Sequence, residues 1–122
     1  MIANDLNNNL VDPIVENEFI RELGERIVRV FLDLFVLRKL SESCEPLSGY
    51  DFIKLVTDEF DVVLSAGSIY AVLYGMERDG LIQGESIFRK RVYVLTIKGE
   101  ETLKKISEEN GKILYSFGRL FV

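Results

Sequence analysis

The chain contains no histidine and only one cysteine among its 122 residues. Without histidine, a Ser-His-Asp triad, a Cys-His pair and His-based zinc sites are excluded. A single thiol, Cys44, closes no internal disulfide, so nothing points to an oxidising compartment. Reactive thiols need an electropositive setting; Glu42 and Glu45 stand beside Cys44, which therefore reads as a half-buried loop residue. Long apolar runs are missing too. The longest, Val28–Leu40, is interrupted by Arg29, Asp33, Arg38 and Lys39 and is too short to span a bilayer. Met1–Val11 is rich in Asn and lacks the basic and apolar regions of a secretory signal, so a cytoplasmic protein is expected. Neither a Gly-rich phosphate loop nor metal-ligand spacing is present. The adjacent carboxylates Asp58/Glu59 and Glu108/Glu109 read as solvated helix surface, not as a paired acid and base. We expect no enzymatic activity, no metal and no cofactor.

What is present fits a small globular domain: 48% hydrophobic and 29% charged residues. Asp12-Pro13 resembles an N-cap followed by proline in the first helical turn, with helix to about Leu23 and a break at Gly24. Ile20, Leu23, Ile27, Val30, Phe31, Leu34, Leu37 and Leu40 recur at three- and four-residue steps, the stripe of an amphipathic helix ending near Leu40. Ser41–Leu47 is expected to be a loop. Ser48 and Asp51 form a capping-box pattern ahead of a helix whose inner face is Phe52, Ile53, Val56 and Phe60. Ser65 is placed to cap a third helix, with Ile69, Val72, Leu73 and Met76 on one face and Gly80 ending it. Leu81–Glu85 and Arg91–Ile97 have strand character around a hairpin tip at Ser86–Lys90, and Thr96 can cap a last helix.

The order is helix, helix, helix, hairpin, helix: a mainly α fold with a small β-hairpin, as in a winged helix-turn-helix. The expected organisation is a flexible tail over residues 1–12, a winged-helix domain with its N-terminal helix over 13–97, and a dimerisation helix over 98–122.

Four segments between Glu25 and Leu103 occur in the order and spacing of one known family. Leu47-Ser48-Gly49-Tyr50-Asp51 resembles a Gly-Tyr start of the second helix, and Leu64-Ser65-Ala66-Gly67-Ser68-Ile69-Tyr70 the opening of a recognition helix. Met76-Glu77-Arg78-Asp79-Gly80-Leu81-Ile82 resembles its ending, and Tyr93-Val94-Leu95-Thr96-Ile97-Lys98-Gly99 the junction into the last helix. Together they resemble the PadR-like family of transcriptional regulators. The resemblance implies a homodimeric winged-helix protein that binds double-stranded palindromic promoter DNA, in a group where small-molecule effectors often modulate binding. Departures are Ser68 in place of the usual Thr, Gly75 inside the recognition helix, a short wing and a short C-terminal region.

With Ile69, Val72, Leu73 and Met76 inward, Gly67, Ala71, Tyr74 and Arg78 fall outward, flanked by Ser68, Tyr70 and Gly75. Ser65, Ser68, Tyr70 and Tyr74 can donate hydrogen bonds to phosphates; for the two tyrosines, packing against the wing or the second helix is the other reading. Base-reading Asn and Gln are missing, and the one arginine, Arg78, stands at the far end of this face, so modest direct readout is expected, with preference coming from DNA shape. Arg89-Lys90-Arg91 is the densest basic run, placed to meet a phosphate backbone or a minor groove, or simply to solvate the tip. Against this stands the net charge of −5, and between Glu45 and Gly99 six basic residues face eight acidic ones. An acidic winged helix used for protein–protein contact, with weak or no DNA binding, is therefore the second reading.

Leu103, Ile106, Asn110, Ile113, Phe117 and Leu120 follow a heptad-like seam, in which Asn110 either fixes the register or, with Gly111, ends the helix. With Leu114 and Phe121 these residues are the expected dimer interface. Phe19, Phe31, Phe35 and Phe117 are candidates to gather between the terminal helices, as core or as an effector pocket.

Overall fold

Side-chain caps set where the helices begin in the computed structural model, which describes residues 17–122. The Asn17 side chain accepts from the Ile20 N–H (3.1 Å) and opens α1, Glu18–Val30. Helix α2, Leu32–Glu42, follows after one residue. Ser48 and Asp51 form a complete capping box, each side chain accepting from the other's N–H, at the start of α3, Gly49–Phe60. Ser65 caps α4, Ala66–Arg78, by accepting from the Ser68 N–H (3.1 Å), and Thr96 caps α5, Ile97–Gly118, through the Gly99 N–H (3.0 Å). The expected helix start at Asp12-Pro13 and the tail over 1–12 lie outside the described residues.

Two expectations about the first helices are corrected. Helix α1 runs through Gly24, where an added Cβ would meet nothing within 4 Å; one glycine weakens a helix without ending it. The apolar stripe is not one helix to Leu40 either. It kinks at Phe31 (φ −105°, ψ 23°), where Phe31 N–H still bonds Ile27 and its carbonyl already accepts from Leu34 and Phe35. The two sides of the kink have different surroundings: α1 buries no side chain, whereas α2 buries Leu32, Phe35, Val36, Leu37 and Leu40.

The sheet is antiparallel with order β1-β3-β2, where β1 is Leu47–Ser48, β2 is Ile82–Ile87 and β3 is Lys90–Leu95. Strand β1, in the segment read as loop, pairs Leu47 with Tyr93 and Ser48 with Val92; two residues carry no periodicity and exist as a strand only because β3 is there. The hairpin is longer than expected. Its register runs from Ile82↔Leu95 to Ile87↔Lys90, which leaves only Phe88 and Arg89 as the turn. Gly80 (φ +79°) ends α4 in the left-handed geometry expected of it. Cys44 is exposed, not half-buried, because the loop before β1 stands away from the core.

The core sits where α2, α3, α4 and β2 meet, with Leu32, Val36, Leu37, Phe52, Val56, Ile69, Leu73 and Ile82 fully buried. Phe60, expected inside, is half-exposed and lies edge-on to Phe35 at 5.4 Å. Lys39 joins α2 to α3 by donating to Glu59 (2.9 Å), a bond that raises its pKa further above the usual lysine range. Leu103 and Ile106 pack their half of α5 onto this same core. Helix α5 continues through Asn110-Gly111, so of the two readings of that pair the helix end does not occur.

Gly75 lies in mid-helix with only Arg78 Nη2 near an added Cβ, at an ordinary 3.7 Å. Gly75→Ala is therefore expected to stabilise the fold by about 0.5–1 kcal/mol, read as a raised denaturant midpoint with unchanged slope.

Candidate nucleic-acid interface

Helix α4 is held by Ile69, Leu73 and Met76, buried against the core, and this fixes what faces out. Ala66, Gly67, Tyr70, Ala71, Tyr74 and Arg78 are exposed, and no carboxylate stands among them. The first-turn N–H groups of a helix have no intrahelical partner and project from a positive dipole end. Ser65 takes one of them. Its hydroxyl lies 3.0 Å from that of half-buried Ser68, so these two expected phosphate donors are also bonded to each other.

The two tyrosines differ. The Tyr70 ring lies over the start of α3, so close to Gly49 that an added Cβ there would sit 2.5 Å from it; the other half of the ring is exposed. Tyr74 is 70% exposed. Tyr50, at the start of α3, is 68% exposed and adds a third aromatic hydroxyl that the sequence reading did not single out. Its position two residues after the capping-box serine was the available signal, because the first turn of the helix preceding a recognition helix lies beside it.

The wing is fastened to α4 by Glu77. Its carboxylate accepts from Arg91 Nη2 (2.6 Å) and from the Gly84 N–H (3.3 Å), so one side chain holds both strands. The Arg91 guanidinium also lies over the Tyr93 ring at 5.8 Å. Burial raises the Tyr93 pKa above its usual value, and Arg91 draws it back in part. The basic run thus divides. Arg91 is engaged inside the molecule, whereas Arg89 and Lys90 are exposed at the tip and in no ion pair among the described residues. Arg78 makes only a loose 3.5 Å contact with Asp79, and Lys98 donates to the Asp79 carbonyl at the end of α4 (2.8 Å).

The residues expected at a dimer seam also divide. Leu103 and Ile106 are half-buried on the chain's own core. Asn110 is exposed on the continuous helix. Phe117 packs edge-on against Phe31 (6.0 Å) and beside Phe121 (5.5 Å), while Ile113, Leu114, Leu120 and Phe121 remain exposed. The four phenylalanines do not form one cluster: Phe31 meets Phe117, Phe35 meets Phe60, and Phe19 is exposed. A groove of about 620 Å³ lies elsewhere, between β3, α5 and the loop before β1, with Cys44, Leu103 and Lys104 on its walls. Among the described residues no group of His, Cys, Asp or Glu side chains could hold a metal ion, and no helix is long and apolar enough to cross a membrane.

A three-helix core with a helix-turn-helix and a β-hairpin pinned beside its second helix defines a winged helix. Known proteins specify it further. The family described as "Transcriptional regulator PadR-like family" matches residues 36–105, more than half of the chain, and the chain belongs to that family. A PadR-like transcriptional regulator from Bacillus cereus is 27% identical, with a TM-score of 0.60 over 78% of this chain and 95% of its own. A PadR family transcription regulator from Clostridium difficile is 23% identical (TM-score 0.61; 75% and 97% covered). A winged-helix DNA-binding protein from STIV is 22% identical (TM-score 0.59; 70% and 91% covered). No curated protein sequence matches the chain.

Removing the Glu77 carboxylate should free the wing. Glu77→Ala is expected to speed amide exchange across Gly84–Tyr93 by roughly fivefold, the factor that corresponds to about 1 kcal/mol, and to leave the core amides unchanged. Arg91→Ala should do the same.

Proposed function

We propose that the chain is a transcriptional repressor that binds a palindromic promoter site as a homodimer, α4 entering the major groove and the wing meeting the flanking backbone. One observation carries this reading. The exposed face of α4, free of carboxylates and built from small residues and tyrosines, stands beside a wing with two exposed cations at its tip, and Glu77 locks the two together. Ala66, Gly67 and Ala71 let the helix backbone approach the groove, Tyr70 and Tyr74 donate to phosphates, and Arg89 and Lys90 neutralise them. In this reading Arg91 positions the wing and does not itself meet DNA. Arg78 can reach a phosphate at the far end of the helix. The domain boundaries follow: residues 13–97 as the reading head, 98–122 as the pairing helix. The site of action is the cytoplasm, where the promoter is. An effector, if the protein has one, has room in the groove beside Cys44.

Pairing rests on the terminal helices. Phe19, Val30, Ile113, Leu114, Leu120, Phe121 and Val122 are all exposed, and the five near the C-terminus leave a large apolar end for a second chain to cover. A two-fold pairing through them sets two α4 helices about one DNA turn apart. Sedimentation should give twice the 14.0 kDa mass of one chain, and Leu120→Glu/Phe121→Glu should give the monomer.

The acidic balance favours a second reading, a winged helix that contacts another protein, and DNA binding decides between them. Titrating a duplex from the region upstream of the protein's own coding sequence should give binding that weakens with salt. Arg89→Ala/Lys90→Ala should lower the log–log salt slope by about 3.6, four phosphate contacts per bound dimer at about 0.9 each. A folded dimer that binds no duplex at low salt would leave the protein-contact reading standing.

A further inference from the structure

Phe88 is 97% exposed, the most exposed aromatic side chain among the described residues. It sits at the extreme tip of the hairpin, because the Ile87↔Lys90 pair leaves only Phe88 and Arg89 to make the turn. Both have positive φ, 51° and 67°. A two-residue turn with both residues left-handed favours Asn-Gly, whose small or hydrogen-bonding side chains tolerate that geometry. Phe-Arg is a poor choice for such a turn, and a ring wholly in water adds no packing to the fold. The tip thus carries two local costs that folding does not explain. Its neighbours give the sense of the arrangement. Arg89 and Lys90 are exposed beside the ring and in no ion pair among the described residues, and half-exposed Ile87 extends its apolar surface. An apolar ring flanked by cations matches a DNA minor groove, where phosphates rim sugars and stacked bases. The Glu77–Arg91 bracket holds the tip at a fixed place beside α4, so a helix seated in the major groove brings the wing to the adjoining minor groove.

We propose that Phe88 is a wedge: its ring enters the minor groove next to the α4 site and partly unstacks one base step, bending the duplex, while Arg89 and Lys90 grip the phosphates on either side. This rests on the DNA-binding reading above. The preferred step is TA, which unstacks most easily and has no guanine amine on the groove floor.

The test uses the full-length protein and end-labelled duplexes of about three helical turns, in alternating dA-dT, dG-dC and dI-dC. The dI-dC duplex has the minor-groove floor of dA-dT and, in its major groove, the pattern of dG-dC. Affinity and end-to-end energy transfer are read for wild type, Phe88→Ala, Phe88→Leu and Phe88→Asn. The expected result is that wild type binds and bends dA-dT and dI-dC alike, and dG-dC less. Phe88→Ala should lose roughly tenfold in affinity on the first two, together with the bend. Phe88→Leu should keep part of both, and Phe88→Asn should melt at a higher temperature, from its better turn, yet bend nothing. If dI-dC behaves as dG-dC, or if Phe88→Ala binds and bends as wild type does, the wedge is wrong and the regulator reading stands. If wild type binds none of the three at low salt, the wedge is wrong, and the regulator reading falls with it only when the upstream duplex is not bound either.

Discussion

Ile69 and Leu73 have no contact with water, and every property of the proposed DNA-facing side follows from their placement. A helix turns about 100° per residue, so burying those two, with Met76 a turn beyond, leaves no choice about which residues face outward. Those outward residues are the small and aromatic ones, Gly67, Tyr70, Ala71 and Tyr74. Tyr70 in turn rests on the start of α3, where the missing side chain at Gly49 makes room for its ring. The angle between the two helices of the motif and the chemistry of the reading face are thus set by the same packing.

Charge enters this picture mainly as a problem of distribution. The chain is acidic, and one of its few arginines near the interface is committed to an internal carboxylate. What that commitment secures is shape: a wing at a defined distance from α4, with its remaining cations at the tip. In the proposed complex a polyanion meets two positive groups in fixed positions, with little long-range attraction behind them. On that reading, discrimination between sites leans on fit and deformability more than on bulk electrostatics.

Local signals were legible in the chain, and long-range ones were not. Ser48 with Asp51, Ser65, Thr96 and Gly80 each act within three residues of themselves, and the pattern alone located them. The inward row of α4 repeats with the helix period, so the outward row could be read by subtraction. The kink at Phe31 has no breaker residue; it reflects the change from an uncovered helix to an embedded one. Strand β1 depends on a partner more than forty positions away. Glu77 and Arg91 are fourteen apart, and in sequence each was only a unit of charge. The two-residue tip was hidden because register is decided by the whole hairpin, whereas Ser86–Lys90 looks locally like a loop.

Helix α5 begins one residue after β3 ends, and that residue, Thr96, is tied to the Gly80 carbonyl by its own hydroxyl. A 22-residue helix is about 33 Å long. Its near half is clamped to the core by Leu103 and Ile106, and its far half carries the free apolar surface. Mechanically this is a lever with its fulcrum at the wing. Gly111 stands between the halves with nothing packed against it, the place where the rod bends most cheaply. In a two-headed assembly joined at the far ends, a few degrees of flexure there become several ångströms of separation between the heads. In the proposed dimer, the span between the two heads is thus tuned by a residue that packs against nothing in its own chain.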